Sequence, residues 1–424
     1  MPAIVQARIS LALFALLTFV STSAAAGPEN WPRFRGADGT GLCDGADLPT
    51  EWSAEQIRWR TALPGLGQSS PVYWGDKLFL TAAENEGQKR SVLCLNRESG
   101  EVLWQTIVWE GSSAERIHKM NSWASATCAV DGEHVAAFFG NGGGLVCLDF
   151  EGNIVWRRDL GSFEMGDWGT AASPVFVGKA VVQNCDSDNN SFLIALDKSS
   201  GEQLWKTPRD KVRGWSTPLV VEAAAADGPR TELVMNGDTG VKGYDPETGR
   251  ELWFYEGSTG RGESSLAVTK SGWLFTVNGR PGDIYTVKPG GEGTVTKTHE
   301  AWRTVRKTGR DLPSPIVVGD YALVVSMQGI ASCYEAESGK ELWKERVPGN
   351  FSASPIAAGG LVYIPNEAGE TFVLRLGPKF EVVAHNSLGS RGDEIFRASP
   401  APGEGCLYLR SDSALYCIGK GSAE

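Results

Sequence analysis

The stretch Asp197-Lys198-Ser199-Ser200-Gly201-Glu202-Gln203-Leu204-Trp205 decides the fold of this chain, because variants of it recur along the sequence. In each copy an acidic or amide residue ends an apolar run, a glycine follows, and an aliphatic residue and a tryptophan begin the next run. Asp and Asn side chains accept hydrogen bonds from the backbone amides ahead of them, and glycine adopts positive φ without a Cβ clash. Each copy therefore predicts a β-turn between two strands. The copies lie at 96–104, 149–156, 197–205, 245–253 and 335–343.

Tryptophans aligned on these copies define the length of the repeat. They are Trp59, Trp104, Trp156, Trp205, Trp253, Trp302 and Trp343, and they stand 41 to 52 residues apart. A period of about 40 to 50 residues, filled with short β-type runs, is typical of propeller blades or of a solenoid. Because a repeat array builds one body, we expect one domain in spite of the 424 residues.

Each repeat begins with a small polar residue, in most cases followed by proline, and then a β-rich run. Seven blade-sized units occupy about 69–108, 124–161, 172–207, 216–257, 264–304, 313–349 and 353–389, and an eighth begins at Ser399 with only three predicted strands. The strand at 57–61, around Trp59, precedes the first unit and has no blade of its own. We therefore predict an all-β fold, an eight-bladed β-propeller of four-stranded antiparallel blades, closed by pairing of the N-terminal strand with the last blade. Closure leaves no long exposed strand edge.

The N-terminus has the pattern of an export signal. An apolar run at 9–20 follows Arg8, and three alanines precede Gly27. A run of twelve residues is too short to span a bilayer. The alternative to an export signal is that this run forms a buried N-terminal helix. We expect a signal peptide at 1–26, an extended segment at 27–56, the propeller at 57–420 and a tail at 421–424. No cysteine follows the apolar run, so we expect an exported protein, periplasmic or extracellular, that is not a lipoprotein.

The formal net charge of −11 bears on the partners of the chain. An acidic surface is soluble and repels nucleic acid and anionic lipid head groups. We therefore expect no nucleic-acid partner, no transmembrane span and a monomer. The expected partner is an envelope protein or a small anionic ligand.

The eight cysteines predict small buried fillers, because four of them occupy the same position of the repeat, before the turn: Cys94, Cys147, Cys333 and Cys417. One disulfide remains open, since Cys406 and Cys417 lie on the two arms of one hairpin and an oxidising compartment would permit a bridge. The register of the hairpin decides whether the two cysteines can form this bridge. With Ser411 and Asp412 as the turn the two cysteines face each other, and with Asp412 and Ser413 they are diagonal and free.

Candidate binding residues precede the first strand of each blade, which lines the channel of a propeller. An arginine stands five residues before the first-strand position in three consecutive blades, at Arg213, Arg261 and Arg310, and Arg397 extends the arc. Guanidinium groups at a channel mouth suit a carboxylate or phosphate. Aromatic walls at comparable positions are predicted from Trp123, Trp168, Trp215 and Phe351, and the segment 118–123, with His118, is expected to overhang the mouth.

The alternative for these arginines is that they pair with carboxylates on the same rim, at Asp167, Glu263, Asp311 and Glu394, and are merely neutralised. A metal site is not expected. Asp186, Asp188 and Asn190 have the first spacings of a calcium loop, but Ser191 stands where the turn glycine is needed. The four histidines show no ligand spacing, and no catalytic residue is predicted.

The repeat resembles the pyrroloquinoline quinone (PQQ) repeat, in which a strand ending in Ala-Leu-Asp, a Ser/Thr-Gly turn and a terminal tryptophan dock each blade on its neighbour. The stretch 194–205 matches it residue for residue, and the resemblance extends from Trp31 to about residue 420. It implies that six tryptophans are docking residues: Trp59, Trp104, Trp156, Trp205, Trp253 and Trp343. A docked Trp buries roughly 150 to 250 Å².

Proteins with this repeat fall into three groups: quinoprotein dehydrogenases, the propeller subunit of the outer-membrane barrel-assembly machinery, and exported PQQ-like proteins without an established activity. The chain lacks the adjacent cysteine pair of many quinoprotein dehydrogenases, and it lacks the lipid-accepting cysteine of the assembly subunit. It therefore resembles the third group most. We expect a non-catalytic binding or scaffolding module of the cell envelope with no cofactor. The alternative is a quinoprotein-type dehydrogenase that uses PQQ and calcium at the propeller mouth.

Overall fold

The computed structural model describes residues 29–112, 115–257, 262–278, 282–306, 312–389 and 391–419. The predicted signal peptide, 1–26, and tail, 421–424, lie outside this part of the chain. Within the described ranges the helical elements are a 3₁₀ turn, Ala54–Gln56, and the one-turn helix α1, Thr296–His299. None of them is long and apolar enough to cross a membrane.

The described strands form eight small sheets. Three strands precede the first blade: β1 (Asn30–Trp31), β2 (Leu42–Cys43) and β3 (Ile57–Ala62). Blade 1 holds β4 (Val72–Trp74), β5 (Lys77–Glu84), β6 (Lys89–Asn96) and β7 (Val102–Glu110). Blade 2 holds β8 (Ala129–Val130), β9 (His134–Phe138), β10 (Leu145–Asp149) and β11 (Ile154–Arg158). Blade 3 holds β12 (Val175–Val177), β13 (Ala180–Cys185), β14 (Phe192–Asp197) and β15 (Gln203–Pro208).

The remaining blades follow in chain order. Blade 4 holds β16 (Leu219–Ala225), β17 (Gly228–Asn236), β18 (Gly240–Tyr244) and β19 (Glu251–Glu256). Blade 5 holds β20 (Ala267–Val268), β21 (Leu274–Val277), β22 (Ile284–Val287) and, after the short β23 (Gly293–Thr294), β24 (Glu300–Thr304). Blade 6 holds β25 (Ile316–Val318), β26 (Tyr321–Val325), β27 (Ile330–Glu335) and β28 (Glu341–Arg346). Blade 7 holds β29 (Ile356–Ala358), β30 (Leu361–Pro365), β31 (Glu370–Arg375) and β32 (Glu381–Ser387). Blade 8 holds β33 (Ala401–Gly403), β34 (Cys406–Arg410) and β35 (Ala414–Gly419), with β3 as its fourth strand.

The pairing of β3 with β35 closes the ring. The two strands are antiparallel, with Trp59 opposite Cys417 and Ala62 opposite Ala414. This confirms the predicted eight-bladed propeller and its closure by the N-terminal strand. The last blade takes its outer strand from the beginning of the chain, so β35 is not left as an unpaired edge.

The hairpin of blade 8 settles the register of its two cysteines. Arg410 lies opposite Leu415, and Tyr408 lies opposite Cys417. The turn is therefore at Asp412 and Ser413, and Cys406, which lies opposite Gly419, is diagonal to Cys417. Both thiols are free, as are the other six, and all eight cysteines are buried.

Tryptophan rings fasten neighbouring blades to one another. The indole of Trp156, in blade 2, donates a 2.8 Å hydrogen bond to the carbonyl of Lys198 in the turn of blade 3. A Cβ built on Gly201 of that turn would lie 2.6 Å from the Trp156 ring, so only glycine allows this contact. Equivalent bonds to the carbonyl of the next blade's turn are donated by Trp104, Trp205, Trp302 and Trp343. The Trp59 ring packs against Gly100 of blade 1, but its indole nitrogen has no hydrogen-bond partner among the described residues.

Trp253 departs from this arrangement. Its indole donates a 2.7 Å hydrogen bond to the buried carboxylate of Glu232 within its own blade. The same carboxylate accepts from the amide of Gly290, in the segment that replaces the usual turn of blade 5. From that segment β23 pairs in parallel with β19, so blade 4 gains a fifth strand. Glu232 therefore links blades 4 and 5 where the usual turn is missing.

An N-terminal strap, residues 29–53, runs across the channel before the chain enters β3. It begins as β1, paired with β4 of blade 1, and continues as β2, paired in parallel with β29 of blade 7. Between these strands, Arg35 donates to the carbonyls of Leu266 and Pro315 in blades 5 and 6. Hydrogen bonds that tie the strap to several blades make it a second fastening of the ring.

Candidate functional site

A ring of eight hydroxyl groups surrounds the channel. It consists of Ser70, Thr127, Ser173, Thr217, Ser265, Ser314, Ser354 and Ser399, one from the start of each blade's first strand. The backbone amide of each ring residue donates a hydrogen bond to the hydroxyl of the ring residue in the next blade. For example, the amide of Ser70 lies 2.9 Å from the hydroxyl of Thr127. The other seven bonds measure 2.9 to 3.1 Å, and the last runs from Ser399 back to Ser70. The residues that begin the predicted blades thus join the blades on the inside.

These hydroxyls line a cavity of about 210 Å³ that opens at one mouth of the channel. Each hydroxyl accepts one backbone amide, so its own proton and second lone pair remain for a guest. A hydroxyl that accepts a hydrogen bond becomes a better donor, because bonds in a chain polarise one another. The cavity can therefore hydrogen-bond a neutral polar group from several sides.

The floor of the cavity is Phe34 of the strap. The next residue, Arg35, is buried and anchors this floor through the carbonyls of Leu266, Pro315 and Thr40. Burial lowers the pKa of Arg35 to about 9. The strap therefore separates the mouth cavity from the rest of the channel.

An inserted segment, residues 115–123, lies at the rim of the cavity, and 118–123 is the stretch for which this position was expected. Met120 and Asn121 line the cavity. The Asn121 amide donates a 2.6 Å bond to the carbonyl of Trp168, and the His118 ring lies 4.2 Å from the Trp168 ring, centroid to centroid. Buried Arg90 holds the base of the segment through a 2.6 Å ion pair with Glu115.

Two of the predicted aromatic residues form walls of the cavity. Trp168 and Trp215 both line it and are both half-buried. The Trp215 indole donates a 2.8 Å hydrogen bond to the carbonyl of Gly169, which ties the two walls together. The cavity thus has an aromatic wall above a polar ring.

The other two predicted aromatic residues lie elsewhere. Phe351 is completely buried in the core of blades 6 and 7, where its ring lies 6.3 Å from that of Phe372. Trp123 packs on the turn at Gly87 and donates to the carbonyl of Glu115. Neither side chain lines the mouth cavity. Their positions along the sequence resemble those of Trp168 and Trp215, but packing of the adjacent loops turns them away.

Arg213 does not point into the cavity. Its guanidinium forms a 2.8 Å ion pair with Asp188 and donates a 3.0 Å bond to the carbonyl of Met165. The arginine thus braces the loop that carries Trp168. Neutralisation by a carboxylate was the alternative given above, but the partner is Asp188 and not one of the four carboxylates proposed.

Arg397 lines the cavity and is likewise paired. Its Nε donates a 3.0 Å bond and its Nη2 a 3.4 Å bond to the two carboxylate oxygens of Glu367. Ser352 donates a 2.6 Å bond to the same group. A third contact, 3.5 Å to the carbonyl of Lys119, links Arg397 to the inserted segment across the mouth. Arg261 and Arg310 lie outside the described residues.

Sequence reasoning missed the hydroxyl ring and the two carboxylates, Asp188 and Glu367. The signal for the ring was present, since each repeat begins with Ser or Thr, but that position was taken only as the start of a strand. Nothing in the sequence marked the two carboxylates as partners of the arginines, because they lie 25 and 30 residues from them.

The described residues do not fit PQQ with calcium. A flat tricarboxylate needs free cations, whereas Arg397, the cation among the described residues that line the cavity, is occupied by Glu367. The volume lies below the roughly 300 to 1,000 Å³ of pockets that bind drug-sized ligands. Within the described ranges, no group of three or more His, Cys, Asp or Glu side chains is arranged to hold a metal ion.

The family model and the curated relatives that match this chain carry the same description. The family model described as outer membrane protein assembly factor BamB matches residues 88–288 and 280–374. The factor of that name from Nitrosomonas eutropha is 26% identical over 305 residues, covering 68% of this chain and 65% of its own length. That from Yersinia pestis is 23% identical over 297 residues, covering 67% of each. The chain thus spans about two thirds of the length of these relatives.

Solved structures share the fold. BamB from Moraxella catarrhalis superposes with a TM-score of 0.62 at 16% identity, covering 87% of this chain and 98% of its own. A europium-containing methanol dehydrogenase superposes with a TM-score of 0.63 at 12% identity, covering 92% and 98%. At such identities the likeness concerns the propeller alone, because one fold serves unrelated functions.

Proposed function

The chain belongs to the family of outer membrane protein assembly factor BamB, and from this premise we propose that it is a non-catalytic protein-binding module of the cell envelope that acts in outer membrane protein assembly. The observation that carries the proposal is the match of the family model between residues 88 and 374, from blade 1 to blade 7. The acidic net charge of −11 agrees with a soluble protein that avoids nucleic acid.

The mouth cavity is the proposed contact site. Its wall contains Trp168, Trp215 and Met120, and tryptophan is enriched where protein interfaces gain most of their binding free energy. The ring of hydroxyls below the wall offers donors and acceptors to a polar group. A volume of about 210 Å³ suits one side chain of a partner that inserts from the mouth.

The charges of the rim also favour a neutral guest over the anionic ligand predicted from the arginines. Arg213 and Arg397 are each held by a carboxylate. An anion would have to displace Asp188 or Glu367, which leaves a partly buried carboxylate unpaired and costs free energy. We therefore assign the two described arginines to shaping the rim.

Site-specific photo-crosslinking tests the proposal. The protein is produced in its native host with a benzophenone amino acid at Met120, on the rim, or at Val155, an exposed position of the outer strand β11. We expect the Met120 probe to crosslink a component of outer membrane protein assembly, and the Val155 probe to give no such product. Trp168→Ala with Trp215→Ala should remove the crosslink.

Two results would contradict the proposal. One is equal crosslinking from both positions, or from neither. The other is reduction of an electron-acceptor dye by the purified protein with an alcohol, PQQ and Ca²⁺, which would restore the dehydrogenase alternative. A deletion strain gives a further readout, since the proposed role predicts less folded β-barrel protein in its outer membrane.

A further inference from the structure

Two cavities lie on the side of the strap away from the mouth. One, of about 390 Å³, is lined by Arg33 and by residues of the first strands of blades 2, 3 and 4. The other, of about 450 Å³, shares Asp38 and Val220 with the first. Phe34 faces the mouth cavity and Arg33 faces the first of these cavities, so neighbouring strap residues separate two sites. The lining residues Val130, Phe176 and Val220 stand three positions beyond ring hydroxyls, roughly 10 Å deeper along the strands.

In three blades the strap itself is hydrogen-bonded to the edge of the first strand, at the same distance below the hydroxyl ring. At blade 1 the strap pairs as an antiparallel strand, with Trp31 opposite Tyr73. At blade 7 it pairs as a parallel strand, with Leu42 opposite Ala357. At blade 2 the carbonyl of Pro32 accepts the amide of Val130. The backbone of the strap therefore hydrogen-bonds to the first strand in three of the eight blades.

Blade 3 has the same kind of edge without such a guest. Among the described residues, β12 pairs only with β13, so its other edge faces the cavity beside Arg33. Unpaired backbone groups on an edge strand form a template for another strand. The half-buried side chains of Phe176 and Val177 flank that edge.

Arg33 adds a charge to this cavity. The residue is only 9% exposed, and its Nε donates a 2.9 Å bond to the carbonyl of Ala37. Its Nη1 is buried and finds no partner in the described part of the chain. Burial lowers the pKa of Arg33 to about 10, against the opposing effect of Asp38, which is exposed at the cavity edge. A carboxylate is the best partner for such a group, because it accepts a hydrogen bond from the unpaired nitrogen and neutralises the buried charge.

From these observations we propose a second binding site beneath the strap, in which an extended segment of a partner protein pairs with β12 and places an Asp or Glu carboxylate against Arg33. The side chains next to the acidic residue are apolar, because Val130, Phe176 and Val220 line the same cavity as Arg33. This site is separate from the mouth cavity and does not depend on the function proposed for it.

Selection from a random nine-residue peptide library tests the site. The peptides are displayed on phage, and tiles of this chain's own sequence are included. Binding is compared between the wild type, Arg33→Met, and the matched control Arg250→Met, which replaces an exposed arginine in the turn of blade 4. We expect enriched peptides with one acidic position among apolar residues, and at least tenfold weaker binding to Arg33→Met only.

Amide hydrogen exchange supplies a readout independent of that variant. The enriched peptide should slow exchange in β12, and a copy methylated on alternate backbone nitrogens should neither bind nor protect, because it cannot pair as a strand. If Arg33→Met fails to fold, the acidic residue of the peptide is replaced by its amide, with the same tenfold loss expected on the wild type. The proposal is overturned if no peptide is enriched, if enriched peptides lack the acidic position, or if β12 is not protected. Enrichment of tiles from 1–28 would make the occupant the chain's own N-terminus, and enrichment of other tiles would make it a second copy.

Discussion

The backbone amide of Ser399 donates a 3.1 Å hydrogen bond to the hydroxyl of Ser70, although 329 positions separate the two residues. This bond is the last of eight that run around the channel, and it joins blade 8 to blade 1 on the inside. On the outside the same two blades are joined by Trp59, which packs on Gly100. Blades 8 and 1 are therefore joined both beside the channel and at their outer strands.

Removal of one ring hydroxyl should weaken the whole propeller. Ser70→Ala leaves the buried amide of Ser399 without its acceptor, and an unsatisfied buried donor costs about 1 to 3 kcal/mol. We expect a fall of that size in the free energy of unfolding measured with urea. Ser271→Ala, at an exposed position, should change it by less than about 0.5 kcal/mol. Equal effects would show that the ring bonds do not stabilise the closed structure.

The docking of tryptophan on glycine can be separated from backbone strain. Gly249 has φ +71°, and a Cβ there would lie 2.4 Å from the Trp205 ring. Gly319 has φ +59° with nothing within 4 Å of an added Cβ. Both alanine variants bear the cost of a left-handed conformation, but only Gly249→Ala also bears overpacking of about 1 to 3 kcal/mol. Thermal unfolding should therefore show the larger loss for Gly249→Ala, and losses of equal size would refute the packing argument.

Asp131 should make stability depend on acidic pH. Burial opposes ionisation of its carboxyl, but a 2.6 Å hydrogen bond from Lys198 and the amides of His134 and Glu133 outweigh burial, so its pKa lies below the ordinary 3.8. A lowered pKa gives stability that is present above the unfolded-state value and lost as the pH falls through the folded-state value. In urea titrations, Asp131→Asn should therefore destabilise the protein at pH 6 and much less at pH 2. A loss that is the same at both values would assign the effect to packing.

Breaking the buried ion pair of Asp186 with Arg209 should lower the free energy of unfolding more than breaking an exposed ion pair. The side chains are only 5% and 7% exposed, at an N–O distance of 2.7 Å. Asp186→Asn leaves the guanidinium buried without a counter-charge, which costs about 3 to 5 kcal/mol. Glu381→Gln breaks a 3.3 Å pair with Arg375 whose side chains are more than half exposed, and should cost at most about 1 kcal/mol. Chemical unfolding of both variants checks the ranking.

The blades were predictable because their determinants are local and repeated. An acidic or amide residue, a glycine and a tryptophan recur within nine residues, so each turn and its flanking strands follow from adjacent side chains. The closure was predictable for a different reason. One strand near Trp59 and one three-stranded unit at the end were each incomplete, and a closed ring makes them complete.

The site was less predictable, since its side chains come from loops whose paths no repeat specifies. Trp168 and Trp215 were expected at the rim, and both residues line the cavity. Phe351, at a comparable position in the sequence, is buried in the core instead. The direction of each side chain depends on what the neighbouring blade presents to it.

The sequence by itself determined the number of blades, the strand that closes the ring and the positions of the turns, because these depend on short-range patterns and on leaving no edge unpaired. Only the tertiary structure decided that Arg213 pairs with Asp188, that Arg397 pairs with Glu367, and that the strap divides the channel with Phe34 on one side and Arg33 on the other. Such contacts join segments far apart in the chain, and the packed geometry of the ring selects them among many partners of the same charge.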